Sequence, residues 1–219
     1  MKISEKTINY LKNFSTINQS VLLREGSKLS TVSPQKNIMA VANIEESIPS
    51  RFAIYDLPRF IGTISLFDEP EYSFEEDHVL LSGGQQATKY KFADEQSIVA
   101  APDKEIVLES PEVEFFVQVE DLTNVIKACN VLRLPEIGIV GDGETVSIQA
   151  LDISNQDSDN HRVNVGKTDL HFRMIFKPEN LKLMNRNYNV RVSSRGIVEF
   201  SSDDLKYWIA TEAASKFGE

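Results

Sequence analysis

The sequence predicts an α+β fold of two similar domains, each with antiparallel sheets and two helices on one face. Three observations lead there: short strand-like runs parted by turn residues, four apolar stripes at helical spacing, and an internal repeat. The repeat is plainest around FAIYDLPRFIGTISLF, residues 52–67. Residues 51–55 alternate as a strand does. Asp56 then offers a side-chain oxygen to the free N–H groups of a helix start, and Pro58 suits a first turn, where its missing N–H costs nothing. Leu57, Phe60, Ile61, Ile64 and Phe67 fall on one helical face. In LHFRMIFKPENLKLM, Ile175 and Phe176 end a strand as Ile54 and Tyr55 do, at an offset of 121 residues. TINYLKNF matches LTNVIKAC at an offset of 115, placing Asn9 on Asn124 and Lys12 on Lys127. TKYKFADE matches LKYWIATE at an offset of 117. Three near-equal offsets in one order point to a unit written twice.

In chain order, Ser4 caps a helix over 4–18 with Ile8, Leu11 and Phe14 inward. Strands are expected at 21–24, 29–33, 38–43 and 51–55, then a helix at 56–67 and strands at 72–74, 79–82 and 88–92. Gly83 and Gly84 join the last two as a hairpin requires. The second half opens with a strand at 113–119 and a helix over 120–133, striped by Leu122, Val125, Ile126, Cys129 and Leu132. Strands 136–140 and 145–151 flank Gly141-Asp142-Gly143, a strong hairpin signal. After the polar loop NQDSDN come strands 161–166 and 170–176, a short helix at 177–187, and strands 188–193, 197–201 and 205–211. Pro102, Asp103 and Pro111 mark 94–111 as a connector between domain one (1–93) and domain two (112–219).

The 219 residues suffice for two small domains, and 41% are apolar, enough for a core in each. No apolar run approaches the roughly 18 residues of a membrane span, and MKISEKTINYLKNF holds no secretory h-region. A single cysteine, Cys129, precludes an intrachain disulfide framework and a thiolate metal cluster; a reducing, intracellular setting is expected.

The net charge is −10, which taken alone argues against a nucleic-acid partner. Its distribution reverses that. The four helical stretches hold eight basic residues and five acids, a net +3, and leave −13 on the rest of the chain. The acids (Glu5, Asp56, Glu120, Asp121, Glu179) all sit in or before a first turn, where the helix dipole favours them. Beyond the first turn every helical charge is positive, whereas an ordinary solvated face mixes signs. The plain alternative is a chance run of solvated charge. The sharper reading turns all four helices toward a polyanion and the acidic sheets away.

At this point the residues resemble a family. ISEKTINYLKNFSTIN, AIYDLPRFIGTISLF and KYWIATEA are similar to the sliding clamps of T4-like bacteriophages, the processivity factors of DNA polymerase; GIVEFSSDDLKYWIATE also resembles the closing strands of the eukaryotic clamp, proliferating cell nuclear antigen. The resemblance spans nearly the whole chain and is weakest at 70–115 and 152–170. It implies a DNA-clamp fold, a homotrimeric ring around duplex DNA, and, as partners, the replicative DNA polymerase and a clamp loader in the cytoplasm of an infected bacterium. It implies no enzyme activity, cofactor, metal or membrane. Encirclement would supply retention, while phosphate contacts that carry little sequence information would let the ring move.

Carried over residue by residue, Lys12, Lys127, Lys182 and Arg186 are the foremost DNA-facing candidates, with Arg59 and Arg133 next and Lys2, Lys6 and Lys177 behind them. The strands holding Thr88, Tyr90 and Phe92, and Arg162, Val163 and Val165, match edge strands that pair between neighbouring subunits. Val41, Ile44, Val107, Leu108, Trp208 and Ala210 are candidates for a pocket taking partner peptides, with Trp208 equally suited to a core. Two other readings stay open: a phage structural β-protein, or a metal-dependent hydrolase using Asp152, Asp157 and Asp159. Against the latter, those aspartates lack the glycine and terminal glutamate of a calcium loop. His78, His161 and His171 stand in no recognisable ligand or nucleophile spacing, and Cys129 lies on an apolar stripe.

Overall fold

The computed structural model describes residues 1–104, 106–155 and 157–218; Glu105 of the connector, Gln156 of the polar loop and Glu219 at the end of domain two lie outside the described residues. The chain divides into two compact units, Met1–Glu105 and Ile106–Glu219, a division that falls inside the 94–111 stretch.

Unit one comprises α1 (Glu5–Ile17), β1 (Val21–Leu23), β2 (Gly26–Val32), β3 (Ile38–Ile48), β4 (Phe52–Ile54), α2 (Leu57–Ile64), β5 (Glu71–Phe74), β6 (His78–Gly83) and β7 (Gln86–Lys91). The pairings are antiparallel: β1 with β4, β2 with β3, and a β5-β6-β7 meander in which β7 is an outer strand. The Ser4 hydroxyl accepts from the Thr7 N–H at 3.3 Å to start α1, and Asp56 Oδ1 accepts from the Arg59 N–H at 2.9 Å to start α2. Those helices pack their apolar stripes inward, so Tyr10, Phe14, Leu57 and Phe60 are buried. Removing each such side chain from water contributes about 1.5–3 kcal/mol. α2 is shorter than the expected 56–67: after Ile64 the chain tightens into turns in which the Leu66 and Phe67 N–H groups donate to Thr63 and Ile64.

Unit two holds β8 (Val113–Val117), α3 (Val119–Leu132), β9 (Glu136–Asp142), β10 (Thr145–Leu151), β11 (His161–Lys167), β12 (His171–Phe176), β13 (Tyr188–Ser193), β14 (Ile197–Ser202), β15 (Leu205–Ala210) and β16 (Lys216–Phe217). One sheet runs β11-β10-β9-β12-β16, with β11 at its edge; β8, β13, β14 and β15 form a second antiparallel run. α3 packs on β9, β10 and β11. The order helix, four strands, helical segment, three strands recurs in both units, as the internal repeat requires. Gly143 sits at φ +86° in the β9–β10 turn, and a Cβ there would lie 2.6 Å from His171 Nε2, so only glycine fits.

The expected helix at 177–187 is corrected. Only a 3₁₀ turn, Pro178–Asn180, forms, and residues 181–187 are irregular. Tertiary contacts capture its backbone: the Tyr188 hydroxyl donates to the Met184 carbonyl at 2.7 Å, and the Met184 N–H donates to the Tyr207 hydroxyl at 3.3 Å. Asn187 turns its Oδ1 away to accept from the Val119 N–H at 2.9 Å, capping α3. Among the described residues, unit two therefore has one α-helix and a helical turn where unit one has two α-helices.

Candidate nucleic-acid interface

Lys12 projects from α1 on the side opposite Tyr10, Leu11 and Phe14, and its side chain is exposed. Lys127 is its counterpart on α3, exposed opposite Leu122, Val125 and Cys129. Arg59 is exposed on the first turn of α2, its guanidinium carbon 5.8 Å from the centre of the Tyr90 ring, a cation–π contact that orients it. Arg133 closes α3 in the left-handed region at φ 55°, with the Leu134 N–H donating back to the Cys129 carbonyl at 2.9 Å. These four cations stand in the open.

The remaining candidates differ. Arg186 donates to Asp204 at 2.9 Å in a mostly covered pair, so its charge is locally balanced. Lys182, half-buried in the irregular segment, stands on no helix face. Lys177 donates to the buried Glu136 at 3.1 Å, a hydrogen bond that raises its pKa and engages its charge. Helical spacing therefore overstated the basic character of residues 177–187, since neither acid partner is near in sequence.

The two strands read as subunit edges are both outer strands of their sheets. Thr88, Tyr90 and Phe92 are half-buried on one face of β7 and its continuation, while Ala87, Lys89 and Lys91 are exposed on the other. Tyr90 meets Phe60 edge-on at 5.0 Å and donates its hydroxyl to the Asp56 carbonyl at 3.0 Å. Phe92 stacks on Phe52 at 4.4 Å. These aromatics fasten β7 to its own unit, and the unpaired backbone of the strand is the feature open to a neighbour. On β11, Val163 and Val165 are half-buried and Arg162 is exposed, donating to Asp142 Oδ2 at 3.0 Å and Thr145 Oγ1 at 2.7 Å. The backbone N–H groups of Thr145 and Glu144, with Arg162, hold the Asp142 carboxyl far below the usual carboxylate range.

Among the pocket candidates, Trp208 is a core residue. It is 2% exposed, and its indole N–H donates to the buried Glu199 at 2.9 Å. Val41 and Ile44 are buried in β3, and Val41 borders a recess with Arg24, Met39 and Asp103. In unit two, Val107 is 74% exposed and Leu108 is buried; both line a cavity of 210 Å³ with Glu112, Ser193 and Arg195. Arg191 holds the Leu108 carbonyl at 3.2 Å. Ala210 is half-buried at the end of β15.

Among the described residues no group of three or more His, Cys, Asp or Glu side chains could hold a metal ion. Asp152 instead accepts from the Ser154 N–H and hydroxyl at 2.9 and 2.6 Å, closing its own turn. Cys129 is buried, and burial pushes its thiol pKa up. No helix among the described residues is long and apolar enough to cross a membrane.

Residues 2–100 match the family described as DNA polymerase processivity factor, and residues 114–213 match gp45 sliding clamp, C terminal. The sliding clamp of Vibrio phage KVP40 is 33% identical over 97% of this chain and 100% of its own length. That of Enterobacteria phage T4 is 30% identical over 98% of each. Among solved structures, the A. fulgidus PCNA bound to the C-terminal region of FEN-1 superposes with a TM-score of 0.72 at 15% identity, covering 95% of this chain and 96% of that one. The DNA polymerase III β subunit of Borrelia burgdorferi gives 0.74 at 11% identity, over 98% of this chain and 64% of that one.

Proposed function

The chain belongs to the sliding-clamp family of DNA polymerase processivity factors, and from that premise we propose that it closes as a homotrimer around duplex DNA. It is a clamp that tethers the replicative polymerase. The observation that carries this reading is the full-length match to phage sliding clamps, in order and without a missing unit.

The ring, the loader and the contact residues are our reading. Lys12, Arg59, Lys127 and Arg133 face the duplex: they are exposed cations on helices of a chain whose net charge is −10. Lys182 joins them from a loop, and Arg186 acts chiefly through Asp204 as a brace. Lysine and arginine meeting phosphates supply attraction without sequence preference, so the ring is held by topology and moves along the duplex. The free edges of β7 and β11 pair between subunits and so cover backbone groups that would otherwise invite aggregation. Val107 and Leu108, beside their cavity, receive peptides of the polymerase and of a clamp loader. The setting is the cytoplasm of the infected host, and no catalytic step is assigned to the chain. Light scattering tests the assembly: a mass three times the 24.7 kDa of one chain supports it, and a stable monomer at micromolar concentration contradicts it.

A further inference from the structure

Unit one carries a groove of about 750 Å³ between the start of α1, the end of α2 and the loop that follows it. Its floor is apolar, formed by Ile3, Ile8, Ile61, Ile64 and Phe67. Its rim is acidic: the carboxylates of Glu5, Glu45, Glu46, Asp68 and Glu69 surround it against the ammonium groups of Lys2 and Lys12. Lys2 and Glu69 meet across the mouth at 2.8 Å, with side chains 63% and 78% exposed, so this link opens at little cost. A groove of this size and lining suits side-chain anchors of a peptide; Glu46 is held by the Ser4 N–H and the Thr7 hydroxyl, which leaves Glu5, Glu45, Asp68 and the Lys2-linked Glu69 to set the charge a docked segment meets.

We propose that this groove docks a basic, apolar segment of a protein partner. The apolar floor takes the anchors, and Glu45, Asp68 and Glu69 meet the cations beside them; complementary charge sets the choice of partner. The proposal stands on unit one alone; in a closed ring Lys12 borders both the groove and the duplex, so a docked segment and DNA compete at that edge.

The test uses the whole chain with ¹³C-labelled isoleucine methyls. The probe is a short amphipathic peptide of leucine and lysine, with its lysine-to-glutamate counterpart as control. The methyls of Ile3, Ile8 and Ile61 are expected to shift with the lysine peptide alone, while those of Ile137 and Ile139 in unit two stay still. Glu45→Lys with Asp68→Lys should weaken binding about tenfold or more, and Glu75→Lys with Glu76→Lys, an equal charge change on the exposed β5–β6 loop, should not. Four results overturn the proposal: no shift in the groove, equal shifts with the glutamate peptide, equal weakening by both double variants, or groove shifts that follow protein concentration without peptide, which would assign the groove to a second copy.

Discussion

Arg186 and Asp204 face one another at 2.9 Å, 18 residues apart, with side chains only 26% and 19% exposed. An arginine that helical spacing would place on a solvated basic face is thus a brace for the irregular segment before β13. Replacing it with glutamine removes the charge that faces a largely covered carboxylate. Arg186→Gln should lower stability by on the order of 1–2 kcal/mol, read from urea unfolding, while reducing processive synthesis less than Lys127→Gln does. The reverse ranking in processivity would return Arg186 to the group proposed to meet DNA.

The exposed Lys12 and Lys127, with the half-buried Lys182, behave oppositely. Changing Lys12, Lys127 and Lys182 together to glutamate should abolish processive primer extension and leave folding and assembly mass intact. Each site is half-buried or open, so folding should tolerate all three. Unimpaired product lengths in that variant would reject the basic contact surface.

Trp208 is the chain's single tryptophan and reports unit two directly. Its emission should be blue-shifted and should redden only on unfolding. Trp208→Phe keeps an aromatic side chain but removes the indole donor, leaving Glu199, 4% exposed, with its 3.5 Å ion pair to Arg191, at a cost of about 1–3 kcal/mol in the unfolding free energy. A red emission maximum in the folded protein would contradict its place in the core.

Acid should loosen the β9–β10 hairpin. The Asp142 carboxyl is held far below its ordinary value of 3.8 by the Thr145 and Glu144 N–H groups and by Arg162, so its contribution is complete above that value. The contribution is lost progressively as pH falls below it toward the depressed folded value. Asp142→Asn, which cannot titrate, should flatten the acid limb of a melting-temperature profile; an unchanged limb would sever the link between this turn and acid stability.

Arg133 combines a cation with a left-handed backbone that only glycine adopts without cost. Arg133→Gly should raise the stability of unit two by on the order of 1 kcal/mol while weakening contact with linear duplex at low salt and flattening its salt dependence, with retention on closed circles at high salt unchanged. Calorimetry and duplex binding measured on the same variant separate the two effects.

Much of this was legible beforehand because the signals were local. Ser4 and Asp56 cap where their side chains suggest, and the Gly83-Gly84 and Gly141-Asp142-Gly143 turns close the expected hairpins. The segment after Lys177 misled because Leu181 and Met184 imitate a helical stripe, while the hydroxyls of Tyr188 and Tyr207 that hold Met184 act through the fold. Trp208 was ambiguous for the same reason: its partner Glu199 lies across a strand pair, invisible to spacing. β16 gives no periodic signal at two residues, and exists because β12 offers it an edge and Phe172 a ring to stack on, at 5.4 Å.

Encirclement is tested most directly by topology. With the loader and ATP, the chain is placed on closed circular DNA, the salt is raised until phosphate contacts fail, and one cut is then made. The account predicts retention on the circle and rapid loss once it is linear. Equal retention on both, or loss from both at the same salt concentration, would mean the chain grips DNA by its surface and encloses nothing.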